Sequence, residues 1–521
     1  MKAITWIAVS ILAAACALLY PALVKPSQIN LAIPEQIHCS VDDKDAAVER
    51  FAGLLRFKTV SSPDNTSHLR DESAAENLQK YLRKSYAIID SKLDRTQVAR
   101  YSLLLKWPGS DASLRPAVFI SHTDVVDVGD ESAWSHPPFS GANADGYIWG
   151  RGAQDVKVTV AQMLEAVTLL SKEGFKPRRT AYLAFGHDEE VGGALGARAI
   201  AKLLHSQGVV PEVILDEGGV LLTDGIKGVT DVPCAVVAVA EKGYVSLELT
   251  ITGRGGHSSM PSVGKPNVLT QLAKVLHMFH ANPPPIKVVD PVPQTFTALS
   301  AGARNPLLRW FLSHATQQPW NWLLGRVLAA SPSAEVAALV RTTAAVTDVK
   351  TGPPGDNVLP DTAIVTFNFR TLPGQDPGWP AKYLRRLCIW ARLEPSAFTV
   401  REKGRDAASD VTDVLGPHFE AVKAALLETL TPAEGLIVAP NLLSGRTDSG
   451  NYEQYFPSTP TLRFTPLPAS HAASAGIGDW PQAKLEGARP QSNRSWKMLA
   501  QFEVASGIIV TALQQRKDCA P

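Results

Sequence analysis

His122 and Asp124 stand one residue apart at the end of an apolar run, in Ala-Val-Phe-Ile-Ser-His-Thr-Asp (117–124). On an extended chain that spacing turns both side chains to one face, so the carboxylate can orient the imidazole while the second ring nitrogen binds something else. Carboxylates follow at intervals: Asp155 in Gly-Arg-Gly-Ala-Gln-Asp, Glu189 and Glu190 in Gly-His-Asp-Glu-Glu, and Asp216 in Asp-Glu-Gly-Gly. Each alone has a plain structural reading, a satisfied strand-end histidine or a carboxylate opening a helix. Gathered at one place without a cation, they would repel one another; around a divalent ion such as zinc they form a donor set.

The intervening sequence can gather them. Ala117–His122, Thr180–Gly186 and Val213–Leu215 read as short apolar strands. A helix after Asp155, with Val160, Leu164, Val167 and Leu170 on one face and Gly174 to stop it, separates the first two; Ala194–Gln207 separates the next two. Alternating strands and helices imply an α/β fold with a mostly parallel central sheet and right-handed crossovers. In such sheets chemistry collects beyond the carboxyl ends of the strands, where His122, Glu189, Glu190 and Asp216 all fall. Asp45–Phe57 and Asp71–Tyr86 read as amphipathic helices opened by acidic residues. From Gly243 the period changes to two: Val245–Ile251 and Thr362–Arg370 are matching strands, read as bounding an inserted α+β lid over 243–372. The catalytic domain is then split into 40–242 and 373–521, the second part including helices over 377–392 and 417–430 and a last one over 495–514.

In order and spacing, the four acidic motifs resemble the co-catalytic di-zinc metallopeptidases and aminoacylases, a family that includes glutamate carboxypeptidase, carboxypeptidase S and the secreted N-fatty-acyl-amino-acid hydrolases. The likeness runs from about Asp45 to the C-terminus, and Glu241-Lys-Gly with the long apolar insertion is similar to the carboxypeptidase S and fatty-acyl branch. The resemblance implies two Zn2+ ions per chain, with Asp155 bridging them, His122 and Asp216 completing one site and Glu190 in the other. Asp124 would support His122, and Glu189 would be the general base toward water at the metal pair. A cis peptide between Asp155 and Val156 is implied as well.

Further positions carry over to substrate handling. His257, in Gly-Arg-Gly-Gly-His-Ser-Ser, reads on its own as an exposed loop histidine; the resemblance makes it an oxyanion-stabilising group that often serves a partner subunit, hence a homodimer through the lid. Asn357 and Arg370 match lid positions that hold the substrate's amide and carboxylate, a task suited to the guanidinium fork. Asp448, in Thr-Asp-Ser, matches a substrate-pocket motif. The segment Pro306–Val340, with Trp310, Phe311, Trp320 and Trp322, reads as helical core, as an acyl-chain tunnel or as a face resting on a membrane. One element departs from the pattern: the family's last zinc-binding histidine is absent, leaving Glu486 at that place and His471 as the other candidate.

A formal charge of +1, from 51 basic and 50 acidic residues in 521, gives no broad field for nucleic acid. Ala3–Val24 carries no charge and is flanked by Lys2 and Lys25. It reads as a cleaved secretory signal or a retained membrane anchor, with a lipoprotein site at Cys16 a third reading. The chain is then secreted, vacuolar or lysosomal, or anchored by a single span. Cys39, Cys234, Cys388 and Cys519 allow one or two disulfides, and Asn65 and Asn493 fit the glycosylation acceptor pattern. The expected function is zinc-dependent hydrolysis, or formation in reverse, of an amide bond next to a free carboxylate, in N-acyl amino acids or short peptides. The alternatives are a short-peptide dipeptidase or carboxypeptidase, and a metal-impaired relative that binds lipid-like amino acid conjugates without turning them over.

Overall fold

A computed structural model describes residues 44–144, 147–261, 266–352, 355–430 and 435–469. Ala3–Val24, Cys16, Cys39, His471, Glu486, Asn493, Cys519 and the expected final helix lie outside the described residues. Among those described, no helix is long and apolar enough to cross a membrane, and Cys234 and Cys388 are buried and free.

Two sheets organise the chain. The larger runs, in spatial order, through Asp94–Val98, Ser102–Trp107, Ala181–Gly186, Ala117–His122, Val213–Asp216, Thr461–Arg463 and Cys234–Glu241, with Ile437–Leu443 paired to the last. Ala117–His122 pairs in parallel with Ala181–Gly186 and with Val213–Asp216, so the strands expected to be parallel are so. His122 stands opposite Gly186 in that register, which brings the ends of the two strands level. Both central strands are buried along their whole length, which accounts for their unbroken apolar sequence.

The helix after Asp155 is Lys157–Lys172, with Gly174 beyond it at φ +75°. Its charged and polar positions up to Ser171 are buried too, because helix Lys44–Leu55 covers the side away from the sheet. Arg50 from that outer helix meets Glu165 through two hydrogen bonds of 2.6 Å, which lets a carboxylate sit inside a hydrophobic layer. The second expected amphipathic helix spans Glu72–Ser85, and Asp71 caps it by accepting from the Ser73 backbone N–H.

The second sheet has four antiparallel strands in the order Thr343–Thr351, Thr362–Thr371, Gly243–Thr252, Phe398–Asp406. The expected pair, 243–252 with 362–371, lies at its centre. The sheet does not end near residue 372 as the sequence reading had it. Helix Trp379–Trp390 packs on it through Tyr383, Leu384, Leu387 and Cys388, and Phe398–Asp406 forms its edge. Amphipathic periodicity shows that a helix needs an apolar surface; it does not say which of two sheets supplies it.

The apolar insertion departs from expectation in the other direction. Leu324 and Leu328 share a buried cluster with Ala240 and Leu442 of the larger sheet, and Phe311 packs against it, so this segment of the expected lid rests on the larger sheet. A two-stranded arm, Gly256–His257 with Val358–Leu359, projects from the second sheet.

Candidate metal centre and active site

The level strand ends bring the acidic motifs together. His122 Nε2 lies 3.2 Å from Asp155 Oδ1, 3.2 Å from Glu217 Oε1 and 4.0 Å from Glu189 Oε2. One ligand atom each from His122, Asp155 and Glu190 falls within 4.8 Å of the others, as does one each from His122, Glu189 and Glu217. The two overlapping sets share the imidazole. Asp155 reaches the cluster from the loop before the buried helix, and its peptide bond to Val156 is cis.

Asp124 lies against the imidazole. Its Oδ1 is 3.3 Å from His122 Nδ1, and its backbone oxygen is 3.1 Å from the same nitrogen, so Nε2 is the atom left for the cluster. The carboxylate in turn accepts from Ser61 Oγ at 2.5 Å and from the backbone N–H groups of Glu189 and Glu190 at 3.1 and 3.2 Å. One side chain thereby ties the first strand end to the turn after the second. Despite its burial, these partners hold the Asp124 carboxyl below the usual range, the His122 imidazole foremost.

The other acids go the opposite way. Burial, then the neighbouring Asp155 charge, raises Glu190 to about 8; burial with Asp155 and Asp216 raises Glu217 to about 7. Glu189, Asp216 and Asp448 are raised as well, burial first in each case. Burial opposes protonation of His122, but Glu217, Asp124 and Asp155 carry its imidazole well above its ordinary value. Carboxylates crowded this closely keep protons unless a cation replaces them. That response, with one imidazole and several oxygen donors, fits a divalent metal.

The predicted residues divide into three groups. His122, Asp124, Asp155, Glu189 and Glu190 come together. Asp216 lies at the same edge, but one oxygen accepts from the Ser449 backbone N–H at 2.7 Å and the other from that of Glu217 at 2.9 Å, and it is the Glu217 carboxylate that meets His122. Asp448, expected on a substrate-facing surface, is buried behind the cluster. A Cβ on Gly186 would stand 2.7 Å from its Oδ2, and Gly193, at φ +66°, leaves room for its Oδ1. The third group is remote. His257 and Asn357 sit side by side on the exposed arm, where the Ser258 N–H donates to the Asn357 carbonyl at 2.8 Å and His257 Nδ1 lies 2.7 Å from Ser259 Oγ. Among the described residues, no ion pair or hydrogen bond joins them to the cluster. Arg370 lies on the second sheet with its guanidinium 5.1 Å from the Tyr244 ring centroid, held below its usual value by burial and by nearby Arg446.

Sequence reasoning missed Glu217, whose signal was its place beside Asp216 at a strand end. It also missed Lys157, whose buried ammonium donates to the Phe57 carbonyl at 2.7 Å and is lowered to about 7 by burial. His187 and Asp188, from the same motif as Glu189, serve the structure: His187 Nδ1 meets Ser102 Oγ at 2.6 Å, and Asp188 accepts from the backbone of Leu195 and Gly196.

The sequence of Peptidase family M20/M25/M40 matches this chain over residues 118–475. The chain is 31% identical over 430 residues to the probable carboxypeptidase S-like 2 of Dictyostelium discoideum, covering 82% of this chain and 80% of that one. It is 35% identical over 429 residues to the N-fatty-acyl-amino acid synthase/hydrolase PM20D1 of Xenopus tropicalis, covering 82% and 79%. The fold is similar to that of the M20 family metallo-carboxypeptidase Sso-CP2 from Sulfolobus solfataricus, with a TM-score of 0.61 at 14% identity, covering 90% of this chain and all of that one. The chain belongs to peptidase family M20/M25/M40, and it is a metal-dependent hydrolase of peptide or acyl-amide bonds. The family's metal is generally zinc.

Proposed function

We propose that the chain hydrolyses, or forms in reverse, the amide bond of an N-acyl amino acid, at a centre of two zinc ions. The observation that carries this reading is the shared cluster of His122, Asp155, Glu189, Glu190 and Glu217, backed by Asp216. Asp155, His122 and Glu190 would hold the metal, with Asp216 or its neighbour Glu217 on the His122 side, and Glu486 or His471 completing the Glu190 side. Bound zinc supplies a Lewis acid for the amide carbonyl and brings water's acidity near neutrality. Glu189, raised by burial and beside Glu190, accepts the proton from water and delivers it to the leaving nitrogen. Asp124 keeps the His122 ring oriented throughout.

The remaining groups serve the substrate. Arg370 takes its free carboxylate, and Asn357 and His257 take the amide and the oxyanion. Because those two lie apart from the cluster within one chain, a homodimer through the second sheet is the arrangement that supplies them, each arm serving the other copy's crevice. The substrate class comes from the similarity to the N-fatty-acyl-amino acid synthase/hydrolase of Xenopus tropicalis, and Ala3–Val24 sends the chain into the secretory pathway.

The test is turnover by the purified, zinc-loaded full chain of an N-oleoyl amino acid and of a dipeptide with the same carboxyl-terminal residue. Preference for the acyl compound, lost in Glu189→Gln, supports the reading. Preference for the dipeptide replaces it with a short-peptide carboxypeptidase, and a wild-type chain inert on both overturns it.

A further inference from the structure

Large apolar side chains stay exposed at several places on this molecule, and three of them fall on one pair of touching helices. Leu307, Trp322 and Val327 are 40%, 57% and 55% exposed, and all lie on helices Pro306–Ser313 and Trp320–Ala329. The helices meet through Trp310 and Trp320, edge to face with centroids 4.7 Å apart. Their other sides are taken, since Leu324 and Leu328, with the half-buried Phe311, share one cluster with Ala240 and Leu442 of the larger sheet. The outward side has no such partner among the described residues, and it is held rigidly by the inward one.

Charge selects among the surfaces that could cover it. Between Asp290 and Glu335 the sequence has no acidic residue, whereas it has Arg304, Arg309 and Arg326. Arg304 pairs with Asp231, Arg309 donates to the Ala303 carbonyl, and the Arg326 guanidinium lies 5.2 Å from the Trp322 ring centroid. A second copy of this face would set arginines against arginines across a two-fold axis. An anionic surface meets no acidic side chain on either helix. Tryptophan beside arginine, with leucine and valine between, is the composition that settles at the headgroup boundary of a bilayer. The uncharged run Ala3–Val24 adds a reason for a bilayer to be near. The chain from Lys25 to Asp43 that joins it to the first helix spans at most on the order of 60 Å at about 3.3 Å per residue.

We propose that the outer face of helices Pro306–Ser313 and Trp320–Ala329 docks on an anionic phospholipid bilayer, with Trp322, Val327 and Leu307 entering the headgroup boundary and Arg326 staying at the phosphates. The proposal stands on this surface alone and not on the substrate assigned above.

The test is amide hydrogen exchange of the full chain with vesicles of phosphatidylcholine, alone or mixed with phosphatidylglycerol. Because Ala3–Val24 could by itself bring the chain to lipid, the readout is local protection rather than co-sedimentation. Exchange in peptides over Leu307–Ala329 should slow by about threefold or more with phosphatidylglycerol present. A Trp322→Ser/Val327→Ser double variant should abolish the slowing and Arg326→Gln should reduce it, while zinc content and turnover of a short, soluble acyl substrate stay at wild-type values. Unchanged exchange on the anionic vesicles overturns the proposal. So does slowing that follows protein concentration without lipid, which would mark the face as a contact between copies.

Discussion

In the crevice, the side chains that do chemistry are held from several directions. His122 is set by Asp124, which is itself fixed by a hydroxyl and two backbone N–H groups, and Asp216 is gripped by two more. On the arm, His257 is exposed, and among the described residues its ring has only Ser259 for company. The first region is preorganised before any ligand arrives; the second has yet to be positioned. A metal centre tolerates little displacement, so strand ends suit it, whereas an oxyanion donor is needed only when substrate is present and can come from elsewhere.

Asp155→Ala should break the crevice completely. Its carboxylate is the one proposed to serve both ions, so the variant should lose bound zinc, measured as metal per chain, together with turnover. Two zincs retained per chain would refute that role. Glu189→Gln should leave zinc content intact while kcat falls by about 10³- to 10⁴-fold. Near-normal turnover would remove Glu189 from the mechanism.

His257→Ala tests the other side of the contrast, with an expected loss in kcat of about 10²- to 10³-fold and no change in metal content. Mixing it with Glu189→Gln sharpens the comparison. If each arm serves the other copy, mixed dimers contain one intact site and activity reappears; no recovery would place the arm over its own crevice.

The smallest effect is expected between the two regions, at Lys242. Burial lowers its ammonium from 10.5 to about 7, while it donates to the Ala338 and Arg341 carbonyls. Between about pH 7 and 10.5 the unfolded chain therefore binds more protons than the folded one at this residue. Its contribution to stability rises with pH across that window and is lost as pH falls toward 7, at up to about 1.4 kcal/mol per pH unit. Lys242→Met should flatten that slope in urea unfolding at a series of pH values, and an unchanged slope would show that the ammonium stays charged in the fold.

Much of the crevice was legible because its signals are local. An apolar strand ending in His-Thr-Asp, or a strand running into Asp-Glu-Glu, carries its own position at the sheet edge. What sequence could not resolve was set by partners far along the chain. Asp216 and Glu217 are neighbours pointing to different places, and the choice between them depends on the Ser449 N–H more than two hundred residues later. Asp448 carries a substrate-pocket motif, yet the room made by Gly186 and Gly193 puts it behind the cluster. Helix Trp379–Trp390 and the insertion were both visibly amphipathic, but each chose the sheet opposite to the one its position in the chain implied.

Glu241, where the chain leaves the larger sheet, and Ser409, where it comes back, hold each other. The Glu241 N–H donates to Ser409 Oγ at 2.7 Å, and the Ser409 N–H donates to the Glu241 carbonyl at 3.1 Å. In polymer terms the second sheet is a single long loop closed by a clasp. The entropy of closing such a loop grows only with the logarithm of its length. Residues added to or removed from the exposed turns between the two ends therefore cost little so long as the clasp survives, and chains built on this plan can differ in length at those turns while Glu241 and Ser409 keep their contact.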